Sequence, residues 1–325
     1  MDDSLVNYEF VPVNLIKNNV AENKIDLLWC ELEFSVENGK KIFQFLDFCN
    51  GSLNVLQISK VMSISEMVAI KLATDLYKSG VIVDKNRRMI SANLCHAHMV
   101  SRGRYLRALM GKKLDLLNNK THKRKLLGTL VETYHYVSAA NFHLDAAVNS
   151  SPKGIVKESL SDLFVDELHH GKELLNGLKA ANIPEKKIAE SVPLPETTAV
   201  IQFLRFLGET DLLSYAACVS VNESPKSDIS IKELWDNVGQ LNILPTEVIR
   251  PFRGHDLEDD AAEHSDIASI VFQTQGYLSE VQQRNIEKNI LMLVDIQTSC
   301  YKAIDSFYGV PEGPSVYSLD DWETK

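Results

Sequence analysis

The chain has 325 residues, enough for two domains or for one large domain with an appendage. Its composition is 45% hydrophobic and 24% charged, which is ordinary for a globular protein with a buried core. The formal net charge of -10 argues against nucleic acid as a partner of the whole chain, because phosphate repels an acidic surface.

The five cysteines are dispersed and include no CxxC pair, which fits reduced thiols better than a disulfide framework. The first residues, Met1 to Ser4, carry neither the basic region nor the apolar run of a secretory signal. No uninterrupted apolar run approaches the length that spans a bilayer. We therefore expect a soluble, cytoplasmic protein without a membrane partner.

Residues 1–95 have the pattern of a small α+β domain. Apolar residues at helical spacing in Lys40–Phe48 predict a helix, and a short apolar segment follows it. The sequence Ser63-Ile-Ser-Glu66 resembles a capping box that opens an amphipathic helix through Lys78. Two β-prone runs around a polar turn at 81–90 then predict a hairpin. Three helices and a small hairpin are the order of a winged helix-turn-helix.

From about residue 100 onward, strand signals nearly vanish. Prolines fall mainly in the gaps between apolar-periodic segments, where they are tolerated. We expect an all-helical domain over 100–310 and a loose polar tail over 311–325. Candidate helices lie near 102–118, 123–149, 153–180, 197–222, 229–241, 252–273 and 277–308. The predicted fold class is mainly α, with a small α+β domain in front of a helical bundle.

The stretch from Phe252 to His264 combines two histidines with several carboxylates on one predicted helix. His255 and Asp259 are four residues apart and therefore share a helical face. Asp260 and His264 form a second pair with the same spacing. Histidine and carboxylate together are the ligand set of an oxygen-activating iron or manganese site. The crowded carboxylates would repel one another without a cation, which favours a metal site over the alternative, a solvated acidic face.

If the helix is regular, only one of the two pairs can face the protein core. At about 100° per residue, His255 and His264 point to opposite sides. A π-bulge or an irregular first turn would be needed to rotate the second pair inward.

Two earlier segments offer further ligands. Glu167 and His170 are three residues apart on a predicted helix, so one carboxylate and one imidazole can meet the same ion. A surface pair at the middle of a helix is the alternative. Glu223 ends an apolar helix that begins at Leu212, where a solvated carboxylate is the alternative.

A third Glu-x-x-His motif occurs at Glu132 and His135. Together with Glu167 and His170 it would match a ferritin-like di-iron pattern, which also needs two glutamates from the other helices. Only Glu223 is a natural candidate for these. We therefore interpret Glu132 and His135 as residues of the substrate cavity.

The order of these segments resembles the heme oxygenase-like di-iron oxidase and oxygenase family, whose fold is related to the thiaminase-like and pyrroloquinoline-quinone-synthase-like proteins. The resemblance covers residues 100–310. It implies a heme oxygenase-like helical bundle that binds two iron ions, or a manganese–iron pair, and uses O2 as co-substrate. The implied ligands are Glu167, His170, Glu223, His255, Asp259 and a final histidine.

The last ligand departs from the family pattern. His-x3-Asp-x2-His would place the final histidine at position 262, where the chain has Ala262, and the nearest histidine is His264. A local bulge can accommodate the two extra residues, or Asp260 can replace Asp259. The third possibility is that the second metal position is weak or lost.

The N-terminal region is similar to PqqD-like winged-helix domains, which bind leader peptides of ribosomally made, modified peptides. The similar segments are Phe48-Cys-Asn-Gly51-Ser, Val55-Leu-Gln-Ile-Ser and Ala73-Thr-Asp-Leu-Tyr-Lys-Ser-Gly80-Val-Ile. This resemblance implies a peptide substrate or a small amino-acid-like metabolite.

A DNA-binding regulator with a ligand- or metal-sensing helical domain is one alternative, and a metal-free oxidase on the same fold is another. The sequence leaves the oligomeric state open, a homodimer included.

Overall fold

The computed structural model describes residues 3–13, 17–27, 30–110, 121–223, 230–261 and 266–318. The chain forms two compact units. The first contains residues 1–109 together with 268–291, and the second contains 110–267 together with 292–325. The division differs from the predicted one in that the boundary lies near residue 110 and a later segment joins the N-terminal unit.

The first unit has short strands and four helices, followed by elements from its second segment. Two 3₁₀ turns, Asp3–Asn7 and Val20–Glu22, precede the helices. The strands are β1 (Phe10–Pro12), β2 (Lys17–Asn19), β3 (Lys24–Leu27), β4 (Cys30–Glu33), β5 (Ile82–Asp84), β6 (Ile90–Ser91) and β7 (Tyr277–Leu278). The helices are α1 (Val36–Phe48), α2 (Val55–Val61), α3 (Glu66–Lys78) and α4 (Ala92–Met110).

The predicted hairpin at 81–90 is wrong in its pairing. Both β-prone runs form strands, β5 and β6, but they do not pair with each other. β5 is antiparallel to β1, with Val83 opposite Val11, and β6 is antiparallel to β7. β2, β3 and β4 form a separate antiparallel meander. The partners of β5 and β6 are far away in sequence, so a local turn signal cannot identify them.

The start of α3 also differs from the prediction. Ser65, not Ser63, is the N-cap, and its side chain accepts a hydrogen bond from the Val68 N–H. Ser63 instead has a positive φ of 55° in the preceding turn. A reciprocal capping box does form one helix earlier, between Asn54 and Gln57 at the start of α2.

Helices are the main regular elements of the second unit, whose described residues also include an isolated β-bridge between Ser191 and Ser318. Its first helices are α5 (Lys123–Ser138), α6 (Ala140–Ser150), α7 (Ile155–Asp166), α8 (His170–Ala180), α9 (Glu185–Ala189), α10 (Pro195–Thr210) and α11 (Leu212–Glu223). The later ones are α12 (Ile231–Gln240), α13 (Thr246–Ala261), α14 (Asp266–Gln273) and α15 (Glu280–Tyr308), of which α14 and α15 also contribute to the first unit.

Three predicted helices are each broken in two. The helix predicted over 123–149 breaks at Ala139, the one over 153–180 at residues 167–169, and the one over 197–222 at Asp211. The Asp211 carboxylate accepts hydrogen bonds from the N–H and the hydroxyl of Ser214, so it caps the start of α11. None of these breaks contains glycine or proline, and apolar periodicity continues across them.

The predicted start of the helix at residue 252 is also wrong. α13 begins at Thr246 and contains Pro251 in its interior. A proline there removes one backbone hydrogen bond and favours a kink, so sequence rules place a boundary beside it. Packing against α8 offsets this cost, as described below.

The core of the second unit is apolar and lies between α5, α8, α12 and α13. Its fully buried members include Leu126, Leu174, Leu178, Val248 and Phe252. The mainly helical fold class is confirmed. Among the described residues, no helix combines the length and hydrophobicity needed to cross a bilayer.

Candidate metal centre

The first two predicted ligands lie on either side of a helix break. Glu167 is the C-cap of α7 and His170 is the first residue of α8, so the single continuous helix predicted here is wrong. The two side chains nevertheless meet, because Nδ1 of His170 lies 3.1 Å from Oε2 of Glu167. Each side chain is only 12% exposed. The alternative of a solvated surface pair therefore does not describe this pair.

The third side chain comes from α13, which is antiparallel to α8. The imidazole rings of His170 and His255 have their centroids 4.6 Å apart, at an interplanar angle of 43°. Seven residues further along α8, Gly177 faces Val248, which lies seven residues before His255. The two contacts place one face of α8 against one face of α13 over two helical turns.

Gly177 allows this close approach. A Cβ atom at this position would lie 2.9 Å from the backbone oxygen of Val248 and 3.1 Å from the ring of Phe252. It would also lie 3.3 Å from Cγ of Pro251. The helix backbones therefore contact each other directly, and this separation also sets the separation of His170 from His255.

The side chains of Glu167, His170 and His255 form a cluster with the composition of a metal site. One ligand atom from each lies within 4.8 Å of the others. An ion about 2.1 Å from each ligand atom holds neighbouring ligands roughly 3 Å apart and opposite ligands about 4.2 Å apart. Small side-chain rotations therefore suffice for a shared ion. Two imidazoles and one carboxylate are the donor set of non-heme iron(II) sites with open coordination positions.

Burial adds to this fit. His255 is 6% exposed. In such a site a metal ion stabilises the carboxylate by its charge, and solvent competes weakly for its coordination positions. The residues present therefore fit a divalent transition metal.

The other predicted ligands cannot be located. The backbone of Glu223 belongs to α11, but its side chain lies outside the described residues. The side chains of Asp259 and Asp260, and all of His264, also lie outside them. Their roles in a second metal position stay predictions.

Glu132 occupies a different place, where its carboxylate is surrounded by donors. It is 2% exposed. Oε2 accepts hydrogen bonds from the Leu194 N–H at 3.0 Å and the Thr197 hydroxyl at 2.5 Å, and Oε1 accepts one from the Tyr308 hydroxyl at 3.1 Å. Burial raises the pKa of Glu132, and these three donors partly oppose that rise. The carboxylate therefore ties α5 to the start of α10 and to the end of α15.

His135 also has an internal partner. Its Nε2 lies 3.0 Å from the Ser191 hydroxyl, which donates its own proton to the Ile188 oxygen. Nε2 of His135 is therefore the donor of this pair. Burial lowers the pKa of His135 to about 4, so the ring is neutral at pH 7. A cavity-lining role for Glu132 and His135 stays a prediction, while their hydrogen bonds give both a structural role.

Two hydrogen bonds involve residues adjacent in sequence to predicted ligands and were not predicted. Trp235 on α12 donates its Nε1–H to Asp256, the residue that follows His255, at 2.8 Å. Asn222, which precedes Glu223, donates to the Tyr136 hydroxyl at 2.9 Å. Adjacency to the predicted ligands was the only available signal, because these contacts join helices far apart in sequence.

Comparison with known proteins supports the fold. The sequence has no match among protein-family models and none among curated proteins. A solved structure, described as a domain of unknown function with a heme oxygenase-like fold from Shewanella denitrificans OS217, is similar over 68% of this chain and 95% of its own. The TM-score is 0.53 and the sequence identity is 14%. The chain therefore has a heme oxygenase-like fold, and at this identity the similarity indicates fold alone.

Proposed function

We propose that this protein is an O2-dependent non-heme iron oxidase or oxygenase, with Glu167, His170 and His255 as metal ligands. The observation that carries the proposal is their convergence in a largely buried site between the α7–α8 break and α13. The heme oxygenase-like fold agrees with the family that the sequence resembles. Iron(II) in such a donor set supplies open positions for O2 and the electrons to reduce it.

The roles of the protein side chains follow from their chemistry. Each imidazole binds a metal only through a deprotonated nitrogen, so His170 and His255 act as neutral ligands. Glu167 supplies negative charge and accepts the Nδ1–H of His170 in the absence of a metal ion. A bound ion would replace that proton, so that the Glu167 carboxylate and the His170 imidazole would both be ligands.

We also propose a second metal ion next to the first. Glu223, Asp259 or Asp260, and His264 are the residues that would complete a di-iron or manganese–iron site by the resemblance. Glu223 would be the bridging carboxylate. Metal stoichiometry distinguishes the possibilities, since one ion per chain indicates that the second position is lost.

The substrate class also rests on the resemblance. We propose a ribosomally made peptide or a small amino-acid-like metabolite, with a peptide held by the first unit through strand addition. Because the predicted hairpin does not form and the outer edge of β1 already binds Gly51, the outer edge of β5 is the candidate docking edge in place of a wing.

The test is anaerobic loading with Fe(II), followed by metal analysis and by absorbance and O2 consumption after exposure to O2. We expect stoichiometric iron in the wild-type protein and its loss in His170→Ala and His255→Ala. His169→Ala is the matched control, because His169 is exposed and adjacent to His170. Failure of the wild type to retain iron would exclude the proposal. Activity retained in the doubly substituted protein would instead support a metal-free oxidase.

A further inference from the structure

The first unit contains a cavity of about 340 Å³. Its walls come from β1, β5, α3, α4 and the first turns of α15, all within that unit. Part of the wall is apolar and is formed by Val11, Pro12, Val13, Val83 and Met99. The volume is at the lower end of the range for small-molecule pockets.

Four charged side chains also line the cavity, and three of them are engaged. Arg87 binds the Glu287 carboxylate at 2.6 Å. Asp84 accepts hydrogen bonds from the backbone N–H groups of Asn86 and Arg88, so its carboxylate stabilises the turn after β5. The fourth charged group, Arg102, lies 3.7 Å from Glu287, which is long for a hydrogen bond.

Arg102 has a guanidinium nitrogen without an acceptor in the described part of the chain. Its Nη1 is buried and has no hydrogen-bond partner among the described residues. The guanidinium carbon lies 4.8 Å from the centre of the Tyr105 ring, and this contact fixes its orientation. A buried guanidinium N–H without an acceptor costs free energy. Because Nη1 is closed to solvent, a ligand acceptor in the cavity would reach it after a small rotation of the Arg102 side chain and would then stabilise the unit.

The neighbouring histidine adds no second free charge. His98 is buried and stacks on Tyr77 with ring centroids 4.2 Å apart. Its Nδ1–H donates to the backbone oxygen of Tyr77 at 2.9 Å. Burial lowers the pKa of His98 to about 4, so it is neutral at pH 7. Among the described residues that line the cavity, Arg102 is therefore the cation with an N–H that lacks an acceptor.

We propose that this cavity binds a small apolar carboxylate, with the carboxylate on Nη1 of Arg102 and the apolar body against Val83 and Met99. The planar guanidinium fork matches a carboxylate better than it matches a neutral amide. The ligand is either a free small acid or the carboxyl terminus of a peptide, since both present the same group.

The experiment uses the full chain and three probes: hexanoate, its neutral analogue hexanamide, and N-acetylleucine as a mimic of a peptide carboxyl terminus. Calorimetry should show that both carboxylates bind with a Kd on the order of 1 mM or tighter, which is ordinary for ligands of this size. Hexanamide should bind at least about tenfold more weakly. Tenfold tighter binding of N-acetylleucine than of hexanoate would identify the peptide terminus as the source, and the reverse order a free acid.

Variants separate ligand binding from folding. Arg102→Gln should weaken carboxylate binding at least about tenfold, whereas Arg104→Gln, which removes the same charge from the same helix outside the cavity wall, should not. Val83→Trp fills the cavity without changing charge and should abolish binding. The proposal is wrong if neither carboxylate binds at about 10 mM, if hexanamide binds equally well, or if folded Arg102→Gln binds as the wild type does.

Discussion

Replacing Gly177 with alanine tests whether the close approach of α8 and α13 sets the geometry of the candidate metal centre. The new Cβ would lie 2.9 Å from the Val248 backbone oxygen, whereas ordinary contacts begin near 3.4 Å. The helices must therefore separate by about 0.5 Å at this point, because a backbone atom cannot rotate away. Overpacking of this kind costs about 1–3 kcal/mol, which exceeds the gain of about 0.5–1 kcal/mol from glycine to alanine in a helix.

The same shift reaches the metal ligands. His170 and His255 lie about 10 Å from the Gly177 contact along the paired helices, at about 1.5 Å per residue. Metal–ligand distances tolerate changes of about 0.2 Å, so a part of the 0.5 Å displacement is enough to weaken binding. We expect a Tm lower by a few degrees and an Fe(II) affinity reduced by about tenfold or more, measured anaerobically by calorimetry.

Gly254 provides the matched control. It lies on α13 immediately before His255, and a Cβ built there has no atom within 4 Å. Gly254→Ala should therefore stabilise the protein by about 0.5–1 kcal/mol and leave iron affinity within about twofold of the wild type. Wild-type iron affinity in a destabilised Gly177→Ala protein would refute the link between helix separation and the site. Equal loss of iron in both variants would refute it as well.

Three further predictions concern buried, hydrogen-bonded side chains of the second unit. Glu132→Ala leaves three buried donors without their acceptor and should lower the free energy of unfolding by about 3–5 kcal/mol in urea titrations, and a cost below 1 kcal/mol would contradict the network. His143 is buried and bonded to the Tyr215 hydroxyl at 2.9 Å, and burial lowers its pKa to about 4. As pH falls below about 6.5, His143 becomes protonated in the unfolded chain but stays neutral in the folded protein. The free energy of unfolding therefore decreases as the pH drops from 6.5 towards 4, by about 1.5 kcal/mol per such histidine between pH 6.5 and 5. His143→Gln should remove that share, and an unchanged pH dependence would contradict the assignment. Trp235→Phe keeps an aromatic ring but removes the N–H that donates to Asp256. It should lower the free energy of unfolding by about 1–2 kcal/mol and weaken iron binding. Unchanged unfolding and iron affinity would show that the hydrogen bond is dispensable.

The helical content and several helix ends could be predicted because they depend on local sequence. The apolar segment from Leu212 to Glu223 is helical in the structure, as predicted. The break at residues 167–169 could not be predicted, since Glu167-Leu-His-His170 has neither glycine nor proline and continues the apolar pattern. The interior position of Pro251 shows the opposite case, in which tertiary packing overrides a local signal for a helix boundary.

The candidate site illustrates the same limit. Glu167, His170 and His255 could be predicted as ligands from their chemistry, because imidazole and carboxylate together form the ligand set of iron and manganese sites. Their convergence depends on the antiparallel contact of α8 with α13, which joins residues about 85 positions apart in sequence. Glycine at position 177 is the sequence feature that permits that contact, yet it reads as an ordinary helix-weakening residue until its neighbour is known.

The helix break explains why a glutamate can serve beside two imidazoles here. Because α7 ends at Glu167 and α8 starts at His170, the carboxylate lies just outside the N-terminus of α8. Glu167 is also the C-cap of α7, so the opposite partial charges of the two helix ends largely offset each other at this position. The charge of Glu167 itself would therefore supply the main electrostatic attraction for a divalent ion in this buried site. Glu167→Gln should therefore weaken iron binding more than the loss of one neutral ligand would, and an affinity loss no larger than that of His170→Ala in anaerobic titrations would contradict this electrostatic role.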